Sequence, residues 1–519
     1  MPLPRNLTDA TIKIDEPKMK HPAHILSAAI LCAAAVFISV RALALEPAPP
    51  KKAGEEQTAS RGLPTEVVTT HTISLGGRKM NFTARAGAID LRDVHSGALQ
   101  AAVAFISYER ADSNPETRPV AFVFNGGPGS SSAWLSLGAL SPWRLRLADP
   151  LSPSDPALVM ENAESWLAFA DLVFIDPPGT GYSKIIGDSE ELRKRFYSVQ
   201  GDVDALAIVV WDWLTTHHRL ASPKYLVGES YGGLRVVKLL QALREHESVG
   251  VAGLVLVSPV LDFKWLNGAR DPLSFATLLP SYAAIARSPK DGAALVDAED
   301  YASGEYVRDF LKGVNDAEAM SRLSENVARF SGLDREVTAR FGGRVDAKTF
   351  ARERLRSSKK VLSLYDGDIA GYDPSPFARD NEWADPALDS LRPVFSSAMV
   401  RITAEKLQWP IGDARYKIIN DRVAQDWDYG RGGRLSVEAM SELRDALALD
   451  TRLKVVVAHG MADLVTPYFV TKLLLSQIPA FGDQARVQLL LLPGGHMTYL
   501  NDESRRTLRD AVRVQIEGK

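Results

Sequence analysis

Ser230, Asp463 and His496, with the glycine-rich run Asn125-Gly126-Gly127-Pro128-Gly129, are the residues whose types and order could do chemistry together in this 519-residue chain. Ser230 sits in Gly228-Glu229-Ser230-Tyr231-Gly232, between the short apolar run Tyr225–Val227 and the helical pattern LRVVKLLQALREH. Strand, tight turn and helix are the context in which G-x-S-x-G forms a nucleophile elbow, with small neighbours relieving a strained serine. A serine hydroxyl is a weak nucleophile near neutral pH, so it needs a base to take its proton and an acid to orient that base. Three histidines follow Ser230: His246, His459 and His496. His246 lies roughly four turns along the helix leaving the elbow, at about 1.5 Å per residue, which is out of reach. His459 precedes every suitable acid, whereas His496 occupies a glycine-rich loop after the last strand. Asp463 follows the strand LKVVVA and completes the order Ser, acid, His. Asp450 lies at the wrong end of that strand, and Asp483 is the second choice.

A tetrahedral intermediate on Ser230 would need two hydrogen-bond donors. The Tyr231 N–H, next after the nucleophile, is one, and the loop 125–129 after the strand Val120–Phe124 is the expected source of the other. A phosphate cradle is the competing use of such a loop, but the lysine of that motif is missing.

These groups must be carried by strand ends. Val120–Phe124, Leu172–Ile175, Tyr225–Val227 and Gly253–Val257 are compact apolar runs, separated in part by helical patterns such as Ser198–His218. This alternation predicts an α/β fold with a mixed, mostly parallel central sheet and flanking helices. Val67–Ala84, broken at Gly76-Gly77, and Leu99–Glu109 read as antiparallel opening strands. The alternation stops from Asp262 to about Asp450, which reads as a large helical insertion over the sheet, and resumes with Leu453–Ala458 and Val487–Leu492. An amphipathic helix from about Asp502 to Glu517 closes the chain. The expected domains are a core of residues 64–261 and 451–519 and a cap of 262–450.

Composition is ordinary for a globular protein, with 45% hydrophobic and 24% charged residues and a net charge of −3. Nothing in it suggests a nucleic-acid partner, and there is no Cys/His spacing suited to zinc and no Walker lysine. No metal and no cofactor are expected. Ile25–Val40 is an apolar run too short for a comfortable membrane span. Followed by Ala42-Leu43-Ala44, it reads as a signal peptide over residues 1–44, with Met19 the better start. An uncleaved anchor is the competing reading. Residues 45–63 read as a disordered linker. Cys32, the single cysteine, falls in the removed segment, so a periplasmic or secreted chain without disulfides and without stable membrane association is expected. The sequence leaves homodimerisation open.

With NGGPGSSS, DPPGTGYS, GESYGG, GMADLVTP and GGHM in place and in order, the chain resembles the serine carboxypeptidase family of α/β hydrolases, and its bacterial members most. The resemblance runs from about Leu63 to the carboxyl end. It implies release of the carboxyl-terminal residue of a peptide through an acyl-enzyme, with Ser230 attacking, His496 as base then acid, and Asp463 orienting it. It also implies an oxyanion site at the Gly127 and Tyr231 N–H groups, and recognition of the substrate carboxylate by Asn125, Gly126 and Glu229. Glu229 can donate to a carboxylate only while protonated; its alternative role is a structural partner of the elbow. Ala139, in Ala139-Leu140-Ser141-Pro142, stands where many eukaryotic members carry a second Glu, so no carboxyl pair forms there. That departure keeps open a serine esterase or acyltransferase using the same triad. A non-catalytic binding protein on a hydrolase fold is the third reading. Tyr182, Tyr231 and Met497 are candidates to line side-chain pockets.

Overall fold

The computed structural model describes residues 62–187, 189–266, 271–287, 292–379, 382–482 and 486–518. All of them fall in one compact unit, Ser60–Lys519. The expected leader, most of the linker, Cys32 and Asp483 lie outside the described residues.

The main sheet is built on β1 (Val67–Leu75), β2 (Arg78–Arg92), β3 (Leu99–Arg110), β4 (Val120–Phe124), β5 (Asp171–Ile175), β6 (Lys224–Glu229), β7 (Gly253–Val257), β8 (Lys454–Gly460) and β9 (Val487–Leu492). Their order across the sheet is β1-β2-β3-β5-β4-β6-β7-β8-β9, with Lys184–Ile185 pairing beside β3. The β1/β2, β2/β3 and β3/β5 pairs are antiparallel, and the remaining pairs along the path are parallel. The Gly76-Gly77 turn joins β1 to β2, as the sequence predicts, and both glycines have positive φ.

The parallel strands are apolar along their whole length because both faces are covered. Side chains alternate between two cores. On β4, Val120, Phe122 and Phe124 face one core while Ala121 and Val123 face the other. On β7, Leu254 and Leu256 face the first, and Val255 and Val257 the second. The first core is closed by α1 (Val199–Thr216), α2 (Tyr231–His246) and α3 (Met440–Leu449), the second in part by α5 (Asp502–Glu517); α4 (Tyr468–Leu475) follows β8. The ends of these helices are set locally. Ser198 Oγ accepts from the Gly201 N–H at the start of α1, and Asn501 Oδ1 accepts from Glu503 and Ser504 N–H at the start of α5.

The stretch between β7 and β8 is helical, as expected, but divides in two. Its first part builds a separate core in which Tyr282 stacks on Phe350 with centroids 4.0 Å apart, and Leu464 and Tyr468 join this core from beyond β8. Its second part is woven into the sheet's own cores. Leu391, Phe395 and Ile418 pack on one face; Trp427, Leu443 and Leu447 pack on the other. Backbone bridges tie Ile419 to Ser130 and Lys417 to Gly181. A short hairpin, Lys360–Leu362 with Ala370–Tyr372, interrupts the helices.

Candidate active site

Ser230 immediately follows β6 and caps α2, with φ 61° and ψ −125°. A non-glycine residue at such a φ is strained and persists only where the surroundings fix it. Here the Ser230 N–H donates to Val257 O at 2.9 Å, and Ser230 O accepts from Gly233 and Val260 N–H at 2.9 and 3.0 Å. The loop after β4 lies directly against this turn. A Cβ on Gly126 would stand 2.6 Å from both Glu229 O and Tyr231 N, so only glycine lets the two backbones meet. Arg235, buried on α2, holds the same loop by donating to Asn125 O, and it pairs with buried Asp202 of α1 at 2.6 Å. The Tyr231 N–H opens α2 and therefore has no intrahelical acceptor. Elbow and loop thus present backbone N–H groups side by side, suited to a developing oxyanion.

β8 and β9 end side by side and deliver the other two groups. His496 Nδ1 lies 2.8 Å from Asp463 Oδ2, and both residues are buried. Asp463 is ringed by donors: Val465 and Thr466 N–H reach Oδ1 at 2.8 and 2.9 Å, and the Thr466 hydroxyl reaches Oδ2 at 2.7 Å. The Nδ1 proton therefore points at Asp463, and Nε2 is the nitrogen left with a lone pair. The ring is fixed from behind as well, since the Ser258 hydroxyl donates to His496 O at 2.8 Å and the His496 N–H donates to Tyr365 O. Burial alone would push the imidazole down; the charge and hydrogen bond of Asp463 and the charge of Glu229 outweigh it, and the net shift is upward.

Glu229 is 4% exposed. Asn125 Nδ2 and the Tyr499 hydroxyl both donate to its Oε2, the latter at 2.8 Å. The amide cannot be flipped without loss, because Asn125 Oδ1 already accepts the Leu135 N–H at 3.0 Å. Two donors on Oε2 place any proton of this carboxyl on Oε1, which has no protein partner among the described residues. Burial pushes Glu229 up to about 7, against the lowering effects of His496, Tyr499 and Asn125. A carboxyl that burial holds above the usual range, with Oε1 unpartnered among the described residues, can donate to an anion while protonated.

One cavity of about 400 Å³ is bordered by Asn125, Gly126, Gly127, Glu229, Ser230 and His496. Asp463 stands behind His496. Ser230 Oγ has no hydrogen bond among the described residues, and Ser230 and His496 border the same cavity. Of the three candidate pocket residues, Met497 borders the cavity. Tyr182 instead packs edge-on against Tyr416 and Trp409, and the Tyr231 ring is buried against Trp427. His459 is a core residue: fully buried, bonded to Thr471 Oγ1 at 2.9 Å, and pushed down to about 4 by burial. The DPPGTGYS motif supports the site from below, since Asp176 Oδ1 accepts the Ser132 N–H at 2.9 Å and the Tyr416 hydroxyl at 3.0 Å.

Sequence reasoning missed Thr466 and Tyr499. Each lies three residues after a group it had identified, but nothing in their type marks them. Tyr499 donates to Glu229 from the loop after His496. Ala139 is buried in the short helical turn Ser136–Leu140, and the Tyr499 ring packs against Gly138 of the same turn. A Cβ on Gly138 would lie 2.4 Å from that ring. The phenol, not a second carboxyl, is what meets Glu229.

An elbow serine, an Asp–His pair at the ends of the following strands and a sheet of this order define an α/β hydrolase. Within that class, residues 79–265 match the family described as serine carboxypeptidase. Serine carboxypeptidase-like 45 of Arabidopsis thaliana is 28% identical over 264 residues, 49% of this chain and 52% of that protein. Pheromone-processing carboxypeptidase KEX1 of Yarrowia lipolytica is 29% identical over 184 residues, 35% of this chain and 27% of that protein. The chain thus spans about half the length, or less, of these relatives. In structure, the prohormone-processing carboxypeptidase KEX1(Δ)p of Saccharomyces cerevisiae superposes with a TM-score of 0.56, covering 84% of this chain and 91% of that one at 18% identity. That likeness concerns the fold. No helix among the described residues is long and apolar enough to cross a membrane.

Proposed function

We propose that this protein is a serine carboxypeptidase that releases the carboxyl-terminal residue of peptides. Ser230 Oγ adds to the scissile carbonyl while His496 Nε2 takes its proton, and Asp463 holds the imidazole in the Nδ1–H form and stabilises the imidazolium. The Gly127 and Tyr231 N–H groups receive the oxyanion. Collapse breaks the C–N bond, with His496 returning the proton to the leaving amine; water, deprotonated by His496, then releases the acyl group. The substrate's terminal carboxylate is bound by Asn125, the Gly126 N–H and protonated Glu229.

The observation that carries this reading over a general hydrolase is the buried Glu229 carboxyl next to Ser230 in the chain, with one oxygen held by two donors and the other without a partner among the described residues. The serine esterase or acyltransferase remains the second reading because Ala139 removes the carboxyl pair. A blocked dipeptide with a free carboxylate, its amide and a simple ester are compared on wild type and Ser230→Ala. The reading requires the free carboxylate to raise kcat/KM severalfold or more, and turnover indifferent to it rejects the proposal. A chain that Ser230-directed fluorophosphonates leave unlabelled would be a binding protein. The first part of the segment 262–450, which builds its own core, is assigned the role of a cap shaping the side-chain pockets over the core of 64–261 and 451–519. The apolar run Ile25–Val40 supports export to the periplasm of a bacterial-type member.

A further inference from the structure

The cavity beside Ser230 has a second charged group that the scheme above leaves unused. Arg434, in the short helical turn Arg434–Ser436, borders it together with Phe263, Leu266 and Val260. Its guanidinium carbon lies 4.5 Å over the Phe263 ring and 5.9 Å from that of Tyr429, two rings that meet edge-on at 5.6 Å. An aromatic shelf of this kind holds an arginine in place without neutralising it. No carboxylate lies within ion-pair distance of Arg434 among the described residues. The acids on the adjoining elements are engaged with backbone: Asp262 Oδ1 accepts the Lys264 N–H at 2.8 Å, and Glu438 Oε2 accepts the Ser441 N–H at 2.9 Å. An exposed cation with open donors among the described residues, bordering a site of this size, is complementary to an anion supplied by the substrate.

The side of the cavity follows from the elbow. Glu229 and Tyr231 flank Ser230 and diverge: Glu229 turns to Asn125 and Tyr499, whereas the Tyr231 ring lies 6.3 Å from Phe263, on which Arg434 rests. Given the orientation proposed above, the leaving residue's carboxylate occupies the Glu229 wall, and the residue on the acyl side of the scissile bond is left to the wall lined by Phe263 and Arg434.

We infer that Arg434 is the cation of an acyl-side subsite that selects an acidic side chain, so that peptides with Asp or Glu next to last are the preferred substrates. This rests on the carboxypeptidase reading for its orientation, and the test is chosen to separate the two. The 4-nitrophenyl esters of N-blocked glutamate and glutamine have no terminal carboxylate and report the acyl subsite alone. Wild type is expected to favour the glutamyl ester about tenfold in kcat/KM, the effect of one partly exposed charge-assisted contact. In Arg434→Gln and Arg434→Met the ratio is expected to fall to about one, with the glutaminyl ester and fluorophosphonate labelling of Ser230 little changed; salt should lower the wild-type ratio only. A wild-type ratio near one, a ratio that survives both substitutions, or acylation by neither ester overturns the inference. So does an equal loss on every free-carboxylate peptide with the ester ratio intact, which would place Arg434 at the terminal carboxylate. Failure of the carboxypeptidase reading shows differently, as hydrolysis indifferent to a free carboxylate while the ester ratio persists.

Discussion

Removing one hydroxyl, in Tyr499→Phe, should move the pH dependence of peptide hydrolysis upward. The Tyr499 hydroxyl donates to Glu229 Oε2 at 2.8 Å inside the protein and favours the charged carboxylate. A hydrogen bond to a charged group contributes about 1.5–3 kcal/mol, and one pKa unit corresponds to about 1.4 kcal/mol. Asn125 continues to donate to the same oxygen in the variant, so the lower end of that range applies, and Glu229 should rise by about one unit. The sign follows from which form binds. In the proposed reading protonated Glu229 donates to the substrate carboxylate, so binding should be present at low pH and fade as pH rises through about 7 in the native protein. In the variant it should fade about one unit higher. The acid limb belongs to His496, which must be neutral to act as base, and because the two groups interact the limbs are properties of the pair. The assay is kcat/KM against pH for a blocked dipeptide, with an ester lacking the terminal carboxylate as control. The alkaline limb of the peptide should move and that of the ester should not. A peptide limb that stays in place, in a variant that folds and is labelled at Ser230, would falsify the assignment of Glu229 as the carboxylate donor. A limb that moves equally with the ester would show that Tyr499 acts on the triad instead.

Glu229→Gln tests the same carboxyl through stability. The folded pKa of about 7 stands above the ordinary 4.5. The native state therefore gains stability relative to the unfolded chain below about 4.5 and loses it as pH rises through about 7, by about 3 kcal/mol in all. The amide does not titrate, so denaturant unfolding should show Glu229→Gln gaining on wild type between pH 5 and pH 8; a constant difference would mean that Glu229 ionises freely. Asp463→Asn should lower kcat by about 10⁴-fold with the fold intact, because the imidazole loses the acceptor that fixes Nδ1–H, a loss measured with any substrate the wild type turns over. Arg235→Met leaves Asp202 buried without its cation and releases Asn125 O, and should destabilise the protein by about 3–5 kcal/mol in urea unfolding. Gly126→Ala should abolish turnover while leaving most of the fold, since the added methyl meets Glu229 O and Tyr231 N, and circular dichroism beside an activity assay separates the two effects.

The parallel strands, the elbow and the order Ser, Asp, His were legible in the chain because each is local: apolar runs mark strands buried on both faces, and G-x-S-x-G between strand and helix fixes a turn. The insertion was legible as helical, but not as two parts with different cores. Helical period says which face is apolar without saying what covers it, and Phe395 and Phe350 look alike in sequence while packing into different cores. The hydrogen-bond partners of the site lay out of reach for the same reason. Tyr499 meets Glu229 across 270 residues, and Arg235 meets Asn125 across 110. Residue type and spacing determined by themselves which groups could react and which strand ends would carry them. Only the tertiary structure decided that the Tyr499 phenol meets Glu229, that Glu229 Oε1 has no partner among the described residues, and that Arg434 borders the same cavity as Ser230 without an ion-pair partner among them. Such facts depend on distance and burial between segments far apart in the chain, and these arise only when the sheet closes.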